Sequence, residues 1–200
     1  MPEHVYIAPI LRHLPGAMDT PTLATKLGTT THLSPLLQKA RRLGLGPDAL
    51  QILAAQRGCR HYSNGSEPKQ PLALESDFSN EELAVALLST ALPYDPHSIR
   101  CGAAMLGAEG NNPRRLARMA VMERCIVPVR HVAEAGQRFE PENNFWKELL
   151  TALPGTPVPP SGVLPHPTRF VAMTGFTRRG PGLVVEWQRP FARQIKTAHD

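Results

Sequence analysis

The sequence predicts a mainly α protein, and three observations carry that prediction. Apolar residues recur at spacings of three and four through most of the chain, the period of one helical face. Four capping residues stand directly before a proline, at Thr20-Pro21, Ser34-Pro35, Asp95-Pro96 and Asn112-Pro113. A short polar side chain accepts from the free amides of a first turn, and a proline in the next position loses no donor. Strand-like runs, RFVAMT and LVVEWQ, come only after a proline-rich stretch near the C-terminus. The expected order is a small N-terminal helical unit, a four-helix block and a C-terminal β-hairpin.

Two hundred residues with 42% hydrophobic content can bury a sizeable core, as one domain or two small ones. No apolar run approaches about twenty residues, so no membrane span is expected. The start, MPEHVYIAPILRHLPG, places an acid before a short apolar stretch and has no basic leader, which argues against a secretory signal. Cys59, Cys101 and Cys125 form no paired framework and suit a reducing, cytoplasmic setting. The 21 prolines are about twice the usual ~5% share. The net charge of +5 divides into +4 over residues 1–70, −3 over 71–153 and +4 over 154–200. Basic ends around an acidic middle suit a polyanion partner, and they serve solubility equally well.

Residues 4–14, HVYIAPILRHL, read as a first helix with Val5, Ile7, Ile10, Leu11 and Leu14 apolar and Pro9 delaying its start. Thr20 is then placed to cap a short helix carrying Leu23, Ala24 and Leu27. Gly28 stops it, and a Thr/His turn leads to a second helix with Leu36, Leu37, Ala40 and Leu43 inward, ended by Gly44-Leu45. Leu23-Ala24, Leu27-Gly28, Leu33, Leu37, Ala40 and Leu43-Gly44-Leu45 together give residues 4–45 a pattern that resembles the helix-turn-helix of the winged-helix DNA-binding regulators. The resemblance implies that Ala24 lets two helices cross closely and that Gly28 supplies the sharp turn. It also implies base contacts from Thr29, Thr30, Thr31, His32 and Gln38, with Lys39, Arg41 and Arg42 on phosphates. No two-strand wing follows directly. Short helices crossing at small residues also occur in proteins that never touch DNA, and cations at a helix C-terminus also answer its negative dipole end.

Residues 47–57 give another short helix through Leu50, Leu53 and Ala54, closing a helix-turn-helix-like unit at 1–58. A polar linker occupies 59–77. The helical block, 78–153, opens on a capping box between Ser79 and Glu82, with Leu83, Ala84, Leu87, Leu88 and Ala91 facing inward. Asp95 starts the next helix, where Gly102-Ala103 permits a close neighbour. A long helix is expected from Asn112 to Gly136, with Leu116, Met119, Met122, Ile126, Val129, Val132 and Ala133 on its apolar face. Pro128 should kink it and Gly136 close it in a left-handed conformation. The last helix, from Pro141 to Leu153, carries Phe145, Trp146, Leu149 and Leu150. A stiff proline-rich connector, 154–167, then leads to a hairpin and tail, 168–200, with strands at Arg169–Thr174 and Leu183–Gln188. Arg178 and Arg179 at its tip stand either as a displaced wing reaching a DNA groove or as a basic loop that aids solubility.

His131 and Glu134 lie one turn apart, with Glu123 two turns further back, and such groups can ligate a metal. A di-metal bundle needs paired Glu and Glu-x-x-His motifs on several helices, which are absent, so a surface His131–Glu134 contact is the expectation. Cys59-x-His61 has no second ligand pair nearby. No Gly-rich phosphate loop, Gly-x-Ser-x-Gly elbow or His-Glu-x-x-His motif is present, so no cofactor or catalytic residue is expected. The leading expectation is a DNA-binding protein, a transcriptional regulator contacting duplex DNA, whose helical block dimerises or binds a protein partner. The alternative is a helical protein–protein interaction module without nucleic-acid binding.

Overall fold

Helix starts in this chain are set by side chains that accept from first-turn amides, because those donors have no partner within the helix. The computed structural model describes residues 20–59 and 78–170, with the backbone alone of 176–178 and 184–186. Ser34, Ser79, Asp95 and Asn112 each cap a helix as the dipeptide pattern and the capping box predict. At the first site the cap is Thr22 rather than Thr20, since Pro21 lies outside the helix and Thr22 accepts from the Thr25 amide.

Among the described residues there are eight α-helices, and the protein is mainly helical. They are α1 Leu23–Lys26, α2 Pro35–Arg42, α3 Pro47–Gln56, α4 Asn80–Leu87, α5 Pro96–Leu106, α6 Pro113–Met122, α7 Ile126–Phe139 and α8 Asn144–Ala152. None of the described helices is long and apolar enough to cross a membrane. The expected helix at 4–14 and most of the expected linker lie outside the described residues.

One apolar cluster runs from Leu23 in α1 to Phe170 beyond α8. At its centre is α4, whose residues Leu83 to Leu87 are all buried, as is its cap Leu88. A helix apolar all round must be covered all round, and α5, α3, α6 and α2 supply that cover. Gly102 of α5 makes the closest of these approaches possible: a Cβ there would stand 2.8 Å from Cγ of Leu88. The short α1 is held by backbone, its Leu23 and Ala24 amides donating to the carbonyls of Leu92 and Thr90 in the α4–α5 loop.

The long helix expected from Asn112 to Gly136 is two helices. The break falls at Glu123–Cys125, where Arg124 takes φ +51, not at Pro128. Pro128 sits in the first turn of α7, where its missing donor costs nothing. Gly136 is likewise not a terminus. It lies buried inside α7, and a Cβ there would fall within the indole of Trp146. The last helix begins at Asn144 under an Asn143 cap, three residues after the expected Pro141.

The structure does not support the C-terminal hairpin as an element of the fold. Arg169, expected to open the first strand, ends a 3-10 turn at Pro167–Arg169 instead. Two three-residue stretches, Phe176–Arg178 and Val184–Glu186, pair antiparallel with Phe176 opposite Glu186. The rest of both expected strands lies outside the described residues.

Candidate functional site

The junction of α2 with the α6–α7 break is built on one buried carboxylate. Glu123, 3% exposed, accepts from the Ser34 hydroxyl on one oxygen and from the Leu36 amide at 3.0 Å on the other. Its charge meets the positive end of α2, which the helix dipole favours. Ser34 meanwhile caps Leu37 at 3.1 Å, so the front of α2 is sealed against the protein.

That sealing bears directly on the residues the helix-turn-helix resemblance selects. Thr30 and Thr31 are exposed, and the Thr31 hydroxyl lies 3.0 Å from that of Thr22. Both ring nitrogens of His32 are shielded from solvent and have no hydrogen-bond partner among the described residues. Gln38 is half-buried. The Lys39 ammonium donates to both oxygens of Glu82 at 2.9 Å and sits 4.8 Å above the Phe78 ring, so its charge is already matched. Arg41 and Arg42 are exposed at the end of α2. Arg178 lies in the paired backbone, where its side chain is not described, and Arg179 lies outside the described residues.

Leu33, one of the residues that carry the helix-turn-helix resemblance, is 74% exposed. Met122, expected on the apolar face of the long helix, is 66% exposed, and Val121 beside it is also exposed. The Ser34–Glu123 contact places Leu33 and Met122 on either side of itself, each one residue away. Arg118, one turn back on the same face of α6, and Arg124 in the break are exposed, and their side chains have no partner among the described residues. Exposed apolar and cationic side chains thus flank the contact in the chain. Met122 ends α6, six residues after Leu116, where the helical phase turns it away from the buried face of Leu116, Met119 and Ala120.

A second feature lies under the proline-rich connector. Arg130 Nη1 donates to the carbonyls of Leu153 and Pro154 at 3.4 and 3.2 Å, pinning the connector where it leaves α8. The Tyr94 hydroxyl donates to the Val163 carbonyl at 2.8 Å, and His131 Nε2 lies 3.0 Å from the Pro165 carbonyl. A carbonyl only accepts, so the His131 proton is on Nε2. Phe170 is buried and meets the His131 ring edge-to-face, with the ring centroids 5.7 Å apart. Between these pins the connector arches over α7 and the start of α5, leaving an open groove of about 990 Å³ beneath it. Among the described residues its lining includes Arg100, Arg130, His131, His166 and Arg169, with Glu134 as the one carboxylate.

The expected His131–Glu134 contact is absent. Glu134 takes Arg130 Nε at 3.1 Å, since the i,i+4 guanidinium outcompetes a ring engaged with Pro165. Among the described residues no cluster of His, Cys, Asp and Glu could hold a metal. The three thiols are free and buried. Burial, then the nearby Cys101, pushes Cys59 well up; burial, then the Asp95 charge, pushes Cys101 up to about 12; burial, then Glu123, raises Cys125. Thiols held neutral in this way are poor nucleophiles. Compared with protein-family models, with curated proteins and with solved structures, the chain matches none.

Proposed function

We propose that the chain is a helical interaction module that binds an acidic, amphipathic protein segment at the α2–α6 junction. One observation carries this: Leu33 and Met122, the chain neighbours of the Ser34–Glu123 contact, are exposed together with Val121, and Arg118 and Arg124 beside them in the chain are exposed as well. Contiguous exposed apolar groups mark interaction sites, and protein interfaces are enriched in Met and Arg. A second copy of this chain fits poorly, because a two-fold contact would set these arginines against one another. A partner presenting Leu-type anchors among Asp and Glu satisfies both the apolar and the cationic side chains.

Duplex DNA is the competing reading, and the exposure of Arg41 and Arg42 favours it. Against it stand the neutralised Lys39 and the sealed front of α2. A synthetic helix with Leu at i, i+3, i+4 and i+7 and Glu elsewhere, titrated by fluorescence anisotropy, tests the choice. Binding tighter than about 1 mM is expected, weakened at least tenfold by Leu33→Asp or Met122→Asp. Both side chains are exposed, so these variants should fold. Equal binding of a Lys-for-Glu version, or insensitivity to both variants, overturns the reading. DNA replaces it if a generic duplex binds tighter than about 10⁻⁴ M at physiological salt and neutralising Arg41 or Arg42 lowers the log–log salt slope by about 0.9.

A further inference from the structure

We propose that the connector is itself a docking segment, in which residues 154–161 form a preformed polyproline II ligand for a partner protein with an aromatic-lined groove. The argument is independent of the α2–α6 junction. Proline fixes its own φ at about −65° and pushes the residue before it to extended angles. From Leu153 to Pro160 only Gly155 is neither a proline nor followed by one. Leu153 leaves α8 at φ −84 and ψ 137, close to the polyproline II angles. Exposure then repeats with the three-residue turn of that helix. Thr156 and Pro159 are half-buried along one edge. Pro154, Pro157 and Pro160 are exposed along a second, and Gly155, Val158 and Ser161 along the third.

One edge is thus turned to the protein and two are offered outward. Val158 on an outward edge is 91% exposed, more than Leu33, Met122 or Val121. The backbone groups of Thr156, Pro157, Val158 and Pro159 make no hydrogen bond among the described residues, so their carbonyls are free to accept. Arg130 holds the carbonyl of Pro154 and Tyr94 that of Val163, which fixes the span between them. A ligand held in this way loses little conformational entropy on docking, and polyproline recognition draws its affinity from that economy. Flat prolines and a small branched side chain pack against aromatic rings, while a ring-borne N–H or O–H reaches a free carbonyl. No charged residue lies from Pro154 to Pro165, so a nucleic acid finds no cation to hold on these edges.

Calorimetric titration of the full chain into a panel of purified SH3 and WW domains, whose aromatic grooves read polyproline II, tests the segment. At least one domain should bind with Kd below about 1 mM. Pro157→Ala, Pro160→Ala and Val158→Glu, all on the outward edges, should each weaken that binding tenfold or more. Thr156→Ala, on the inward edge, should change it by less than about twofold. Leu33→Asp and Met122→Asp should leave it unchanged, which keeps this result separate from the reading of the α2–α6 junction. The three outward side chains are exposed, so their variants should keep the helical circular dichroism of the wild type. The proposal is overturned if no domain in the panel binds below about 1 mM, which would leave the connector a spacer. It is equally overturned if Thr156→Ala weakens binding as much as Pro157→Ala does, or if Val158→Glu has no effect.

Discussion

Asp95 shows how much one carboxylate can organise. Its oxygens accept from the amides of His97 and Ser98 at 2.8 and 3.1 Å, starting α5, and from Gln51 Nε2 at 2.8 Å, tying α3 to that start. Burial pushes its carboxyl up, but the two amide bonds, the Ser98 hydroxyl and the His97 charge together hold it below the ordinary range. A carboxyl depressed on folding contributes stability above its unfolded value, about 4, and that contribution is lost as pH falls through the folded value. Asn caps a helix nearly as well and does not titrate. The stability gap between wild type and Asp95→Asn should therefore be flat above about pH 5 and shrink below about pH 4. A gap independent of pH down to 2, in urea midpoints, would show that the charge contributes nothing. Glu123 is the same idea in a less readable place, since the donors it serves, Ser34 and Leu36, lie almost ninety positions earlier in the chain.

That difference in reach explains which elements were legible. Caps act within three residues, so Ser79, Asp95 and Asn112 could be read directly, and the glycines Gly28 and Gly44 take the positive φ their stop positions require. The break at Glu123–Cys125 has no such local mark. It is fixed by Glu123 turning to α2 and by Arg124 adopting φ +51, neither of which periodicity registers. Pro128 supplied a local signal that pointed to the wrong place. It is the third residue of α7, and the first backbone bond of that helix, from Val129 to Cys125, begins after it. Pro128→Ala should therefore change stability by less than about 1 kcal/mol, whereas relieving an interior proline would gain about 3 kcal/mol. A gain of the larger size in chemical denaturation would restore the kinked-helix reading. Of the two surfaces, the connector was legible as stiff because proline content is local. Its return over α7 was not, because the pins at Tyr94, Arg130 and His131 are tertiary contacts.

At the scale of the whole molecule, Trp146 closes the helical assembly. Its indole is fully buried, lies over Gly136 of α7, and comes within 3.3 Å of where a Cβ on Gly107, the cap of α5, would stand. Its Nε1 donates to Glu140 at 2.7 Å, and its ring meets Phe145 edge-on at 4.9 Å. One side chain of α8 thus sets the spacing of α5 and α7, and the groove under the connector depends on that spacing because Arg130 and His131 ride on α7. Gly136 is then needed for room rather than for its backbone freedom, since it sits at ordinary helical angles. Two opposing effects follow from adding a methyl there. In the wild type Gly136→Ala should destabilise by about 1–3 kcal/mol or more, because the ring has nowhere to move in a packed core. In a Trp146→Leu background the space is open, and the better helix former should stabilise by up to about 1 kcal/mol. The sign should reverse between the two backgrounds in a double-mutant cycle read by urea unfolding. Equal destabilisation in both would mean that something other than the indole holds position 136 to glycine.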